Sequence, residues 1–263
     1  MFLPKLKHYS MPSIQWNAIW GNDYQWTDEG NEWKGQAAYC KQPYSLWKES
    51  LNEAFIKPYL DHNRDVLEIA PGYGRWTPYL LDASNKVHLV DLNESCIEHC
   101  KNKFQHISKL SYHVNDGKSL HSIADESIDF IWSYDSFVHI ELEDIDSYFS
   151  EFQRVLKPEG RAVIHHADRL HNTLILWPFF QFLPHGRKLF KHISMPKNTM
   201  GGEDGMRSMV SAKQIEKLIL KNGLYLIKQT DVWGNQNQFN CKRFGDQISI
   251  IQKNKSPATK SQG

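Results

Sequence analysis

Residues 65–76 read Asp65-Val-Leu-Glu-Ile-Ala-Pro-Gly-Tyr-Gly-Arg-Trp76, a short apolar run closed by a proline and two glycines. Asp65 to Ile69 has the length and branched residues of a buried strand, and Pro71 with Gly72 ends it. Arg75 to Ala83 then reads as a helix. Glycines at such a strand-to-helix turn let backbone N–H groups come close to a ligand at the helix N-terminus. A glycine pair alone is weak evidence, because a tight turn without a ligand has the same letters.

The pattern outward from this turn is a strand and helix alternation. Lys86 to Val90 is a second strand, and Asn93 is placed to cap a helix running to His106. Leu110 to Val114 and Ser127 to Ser133 read as strands. Glu143 to Leu156 reads as a helix stopped by Lys157-Pro-Glu-Gly160, with a strand from Arg161 to Ala167. Ser211 and Gln214 have capping-box spacing for a helix to Asn222, which Gly223 ends, and strands follow at Leu224 to Thr230 and Asp246 to Gln252. This order predicts an α/β fold: a Rossmann-like, mostly parallel seven-stranded sheet with helices on both faces and ligands at the carboxyl ends of its strands. Upstream, Trp47, Leu51 and Phe55 share one helical face that should end near Pro58. The expected division is an aromatic arm and helix over 1–60, the α/β domain over 61–252 and a disordered tail over 253–263. Residues 168–209 break the rhythm, with aromatics at 177–182 and glycines at 201, 202 and 205, and are expected to form a lid-like substrate insertion.

Composition excludes several classes. The 31 basic and 30 acidic residues leave a net charge of +1, so no basic stripe points to nucleic acid and a small acceptor fits better. Cys40, Cys96, Cys100 and Cys241 form no CxxC pair and read as reduced thiols without zinc. The segment MFLPKLKHYSMP lacks a sustained apolar region, and the longest apolar stretch, Leu174 to Leu183, is about half of what a bilayer needs. A cytoplasmic protein without membrane association is expected. Nine Trp, 13 Phe and 11 Tyr imply either a bulky core or an aromatic pocket, for which Trp16, Trp20, Trp26, Trp177, Phe179 and Phe180 are candidates.

Asp91 closes the second strand, where such sheets place a carboxylate for two ribose hydroxyls. Asn115-Asp116-Gly117 closes the third, where an amide or carboxylate can meet an adenine amino group. A dinucleotide site wants a third glycine at 77, and the chain has Thr77. A cationic cofactor without phosphate suits this shorter loop above the acidic Glu68.

The successive runs VLEIAPGYGRWT, HLVDLNESCI, HVNDGKSL, IDFIWSYDSFVHI and FQRVLKPEGRAVIHH resemble the ordered motifs of class I S-adenosylmethionine (AdoMet)-dependent methyltransferases over about residues 64–166. The combination EIAPGxGRW, SYDSFVH, LKPxGxAxxHH, MRSM and a C-terminal Trp-Gly is similar to bacterial methyltransferases of polysaccharide and natural-product gene sets. Ala70 departs from the family's first loop glycine. The resemblance implies cofactor contacts by Glu68, Ala70, Gly72, Gly74, Asp91, Leu92, Asp116 and Gly117, with Ser133 and Tyr134 at the mouth of the fourth strand.

Methyl transfer from a sulfonium is an in-line displacement, so the protein chiefly aligns the acceptor and removes its proton. His139, His165, His166 and Asp135 are the candidates near the carboxyl ends of the fourth and fifth strands, with Asp168 close by. A base near neutral pKa favours His139, and Asp135 reads as a positioning group. Because His165 and His166 are adjacent on a strand, their side chains diverge, which argues against a metal shared by both. The expected function is methyl transfer to a hydroxyl or amine of a small molecule, a sugar or natural product. The alternatives are a protein or RNA methyltransferase, a catalytically silent AdoMet-binding module and a nicotinamide oxidoreductase.

Overall fold

The computed structural model describes residues 24, 26–27, 35–169, 176–180, 182–186, 189–190, 193 and 207–255. Strands β1 (Asp65–Ile69), β2 (Lys86–Asp91), β3 (Leu110–Val114), β4 (Ile128–Ser133), β5 (Leu156–Ala167), β6 (Leu224–Thr230) and β9 (Asp246–Lys253) form one seven-stranded sheet in the order β3-β2-β1-β4-β5-β9-β6. The first five pair in parallel, and β9 runs antiparallel to both β5 and β6. Val232–Trp233 (β7) and Phe239–Asn240 (β8) make a separate short ribbon.

Alternation along each strand divides the core between two faces. Val66, Phe130, Trp132 and Val163 join one apolar cluster, while their neighbours Leu67, Ile131 and Ile164 join the other. The first face is covered by α2 (Tyr44–Leu51) and by α3 (Thr77–Asp82) and α4 (Glu94–Lys103), through Trp47, Leu51, Leu80 and Ile97. On the second lie α5 (Leu142–Val155) and α7 (Ala212–Lys221), through Phe149, Phe152, Ile215 and Ile219. Two shorter helices, α1 (Gly35–Tyr39) and α6 (Trp177–Phe180), complete the described set. The expected run from Trp47 to Phe55 is continuous, but after Leu51 it widens into a π turn at Asn52–Ile56 and then tightens at Lys57–Tyr59, where Pro58 prevents further α-helix.

Several boundaries differ from the sequence reading. The helix after β1 begins at Thr77, leaving Arg75 and Trp76 in the turn. Residues 157–160 do not end the chain's extended course. Pairing moves from Ile128 opposite Leu156 to Phe130 opposite Arg161, so the Lys-Pro-Glu-Gly stretch, with Glu159 at φ +64°, forms a bulge within β5. The tail does not start at Lys253. That residue ends β9, buried, and its Nζ donates to Leu156 O at 2.8 Å and Glu126 Oε1 at 3.0 Å. Of the expected insertion, 170–175 and 194–206 lie outside the described residues, as do Trp16 and Trp20. Its two ends are tied to each other and to the turn after β4: Arg169 N donates to Val210 O and Ser208 N to Val138 O, both at 2.8 Å.

Candidate active site

A cavity opens at the carboxyl ends of β1 to β4, the position the topology dictates. Its first wall is the loop after β1. Ala70, Gly72 and Gly74 all have left-handed backbones, at φ +56°, +55° and +78°. A Cβ added at Gly72 would lie 2.6 Å from the Trp26 ring, and one at Gly74 would lie 2.6 Å from Phe104, so side-chain packing as well as φ demands glycine at both. Ala70 and Gly72 line the cavity together with Trp26 and Trp76, whereas Gly74 serves the turn.

Asp91 ties this loop to β2. Its Oδ2 accepts from Gly72 N at 3.3 Å and its Oδ1 from Asn93 N at 2.9 Å. Burial pushes its carboxyl up to about 6 despite these backbone donors. Glu68 sits beneath the loop, accepting from Thr77 Oγ1 at 2.6 Å, and burial raises it to about 7. Leu92 and Gly117 line the cavity as expected from their positions, but Glu68 does not.

At the opposite end stand Tyr134, Asp135 and His139, on the turn between β4 and α5. Asp135 adopts φ +68° and its Oδ2 accepts from Arg75 Nη2 at 2.7 Å. Burial would raise its carboxyl, but Arg75 and His165 outweigh this and hold it well below the usual carboxylate range. His139 is 8% exposed, and its backbone N donates to Ser136 O at 2.9 Å.

Other expected residues are not brought to the cavity. Asp116 is turned outward, its Oδ1 accepting from Lys118 N and Ser119 N; Asn115 lines the wall instead, donating to Tyr148 Oη at 3.0 Å. Ser133 lies below the floor, donating to Ile69 O at 2.9 Å. The two strand histidines diverge as their register requires. His165 is fully buried against the Tyr134 ring at 4.2 Å, and His166 lies 2.7 Å from Ser249 Oγ on the other face, where burial lowers it to about 4. Asp168 Oδ1 accepts from Ala212 N at 2.8 Å, away from the cavity. Phe179 is 71% exposed, so it walls nothing, and Phe180 packs on Phe190. Among the described residues no group of three His, Cys, Asp or Glu side chains could hold a metal ion.

Sequence reading missed Arg75, Trp76, Asn93 and Tyr148 as site residues, all on the cavity wall, while Asn115 was offered there only as the amide beside Asp116. Arg75 and Trp76 directly follow Gly74, and that adjacency to the glycine turn was the available signal. Asn93 and Tyr148 reach the wall only through the fold.

Among the described cavity-lining residues three buried polar atoms lack a hydrogen-bond partner: the donors Arg75 Nη1 and Trp76 Nε1, and the acceptor Asn93 Oδ1. Together with the Asp91 carboxylate they fit a ligand bearing hydroxyl donors at one end and an anionic acceptor at the other, as AdoMet does.

Residues 66–160 match the methyltransferase domain family. Over 99 residues the chain is 25% identical to phosphoethanolamine N-methyltransferase 1 of Caenorhabditis elegans, covering 38% of this chain and about a fifth, 21%, of that protein. Geranyl diphosphate C-methyltransferase from Streptomyces coelicolor superposes with a TM-score of 0.60 at 13% identity, over 93% of this chain and 98% of that one. A putative sarcosine dimethylglycine methyltransferase from Galdieria sulphuraria gives 0.56 at 16% identity, over 80% and 86%. AdoMet is the methyl donor of the family. The loop after β1, the carboxylate ending β2 and the family match all point the same way: residues 66–160 form a methyltransferase domain.

Proposed function

We propose that the chain transfers the methyl group of AdoMet to a hydroxyl or amine of a small-molecule acceptor, a sugar or other natural product, with general-base assistance. The observation that carries this reading is that one cavity joins Ala70, Gly72, Asp91 and Gly117 to Tyr134, Asp135 and His139, so donor and acceptor ends share a single space. AdoMet supplies an electrophilic methyl group when bound. Asp91 would accept from ribose hydroxyls, and Arg75 Nη1 would donate to the carboxylate of the methionine end. Trp26, Trp76 and Tyr134 shield the space from water. Asp135 is a poor proton acceptor because Arg75 and His165 favour its ionised form, which leaves His139 as the base among the candidates read from the sequence, the one histidine on the described wall.

The relatives' printed substrates, phosphoethanolamine and geranyl diphosphate, are small molecules and support that acceptor class over protein or RNA. No described helix is long and apolar enough to cross a membrane, and the four free cysteines favour a reducing compartment such as the cytoplasm. Release of S-adenosylhomocysteine (AdoHcy) should be screened over sugars, phenols and small amines. Turnover with one of them is expected. Measurable AdoMet binding with no turnover on any acceptor would instead identify a silent binding module.

A further inference from the structure

Behind Asp135 lies a line of buried charged side chains that the methyl-transfer reading does not use. Asp135 Oδ1 is 3.2 Å from His165 Nδ1, and His165 Nε2 is 3.3 Å from Asp246 Oδ2. Arg207 closes the line, its Nε 3.1 Å from Asp246 Oδ1 and its Nη2 2.8 Å from Oδ2. His165, Asp246 and Arg207 are 0%, 1% and 3% exposed. The sheet builds this alignment. Ala167 pairs with Asp246 in the antiparallel β5–β9 ladder, which puts Asp246 on the same face as His165, one diagonal step away.

Two carboxylates at ion-pair distance, one beside each ring nitrogen, favour the charged imidazolium, although the Nε2 contact to Asp246 is out of line for a hydrogen bond. The Asp135 backbone N–H points at Nδ1 from 3.3 Å and would donate to it in the neutral tautomer, but this uncharged donor competes with two full negative charges. Arg75 and Arg207 balance the two aspartates. The other titratable groups around His165 are Tyr134, stacked on it from the end of β4, His166 beside it on β5, and Cys241, whose Sγ is 3.3 Å from Asp246 O. Burial alone would lower His165, but the two aspartates outweigh it and raise it above the ordinary value. Burying so many charges is poor value for stability, since apolar replacement of such arrays is often neutral or better. Their siting directly behind a cavity residue points to a role there.

We propose that Arg207, Asp246 and His165 form a positioning relay in which His165, held as an imidazolium between two carboxylates, fixes Asp135 as an ionised anchor for a polar hydrogen of the acceptor. Arg75 and His165 each occupy one lone-pair site of the Asp135 oxygens, and the remaining sites face the cavity from a residue 17% exposed. The relay rests on the methyltransferase reading only for the identity of the molecule anchored.

The full-length chain labelled with 15N-histidine tests this, with the His165 resonances assigned by His165→Gln. The imidazole should titrate above the range of an ordinary histidine, because the two aspartates favour its charged form. Asp246→Asn should lower its midpoint by about one unit or more, and Asp246→Glu should restore most of the shift. If Asp246→Asn does not fold, Asp135→Asn removes the other carboxylate and should lower the midpoint likewise. A neutral His165 at pH 7, or a midpoint unmoved by these substitutions, overturns the relay. AdoHcy affinity of folded His165→Gln and Asp246→Asn should stay within about threefold of wild type, because neither residue lines the cavity; failure of wild type to bind AdoHcy would count against the methyltransferase reading and leave the titration readable. With a turning-over acceptor, the same variants should raise its KM about tenfold with kcat within about threefold. A fall in kcat at unchanged KM would remove the anchoring role.

Discussion

Ala70 shows how closely one residue is constrained. A non-glycine residue at φ +56° carries a left-handed penalty of about 1–2 kcal/mol, partly offset by the greater chain entropy that glycine loses on folding. Ala70→Gly should therefore stabilise the protein by about 0.5–1 kcal/mol in urea unfolding, and equal or lower stability would show that the methyl group packs usefully. Asp91 and His139 should separate by mutation. Asp91→Ala should weaken AdoHcy binding by about 1.5–3 kcal/mol, the range for hydrogen bonds to a charged group. His139→Ala should leave that affinity near wild type and lower kcat about 10²- to 10⁴-fold, with part of the loss recovered at higher pH. A kcat within about threefold of wild type would move the base away from His139 or make the acceptor an amine already deprotonated on arrival.

At the scale of elements, α7 is the cleanest case of local sequence dictating structure. Ser211 Oγ accepts from Gln214 N at 3.3 Å, and the Gln214 side chain accepts from Ser211 N at 3.0 Å. The other end is closed by Gly223 at φ +71°. Ser211→Ala should cost about 1 kcal/mol in thermal or urea unfolding, and no loss would mean that Ile215 and Ile219 hold the helix without its cap. By contrast, α2 is fixed by partners distant in sequence. Trp47 meets Trp76, Tyr134 and Trp233 with ring centroids 6.4, 5.8 and 6.3 Å apart, and Trp233 Nε1 donates to Ser50 Oγ at 2.8 Å. Much of the aromatic excess in the sequence is thus core beneath the cavity.

For the whole molecule, ligand and proton act on the same buried carboxylates. Burial raises Asp91 from 3.8 to about 6 and Glu68 from 4.5 to about 7 in the ligand-free protein. Because both folded values lie above the ordinary ones, their contribution to stability is full below about pH 4 and is lost progressively as pH rises from there to about 6 for Asp91 and about 7 for Glu68. The ligand-free protein should lose stability over that interval, and Asp91→Asn, which cannot ionise, should flatten part of the loss. Hydroxyl donors favour the ionised form, so AdoHcy affinity should weaken below about pH 6 in wild type and stay level in Asp91→Asn. AdoHcy at about 100 times its Kd should add about 2.7 kcal/mol, and a thermal shift with NAD but none with AdoHcy would overturn the cofactor assignment. The succession of strands and helices, the glycine turn, the Asp91 position and the α7 cap are legible along the chain, because period, turn chemistry and capping act over a few residues. Which groups share the cavity depends on the closed fold. Asp116 and Asn115 are neighbours in sequence with opposite fates, and His165 is withdrawn behind Tyr134, because strand register and loop twist set side-chain direction. Arg75, Asp135, His165, Asp246 and Arg207 span more than half the chain, and no local signal links residues that only the closed sheet brings within contact.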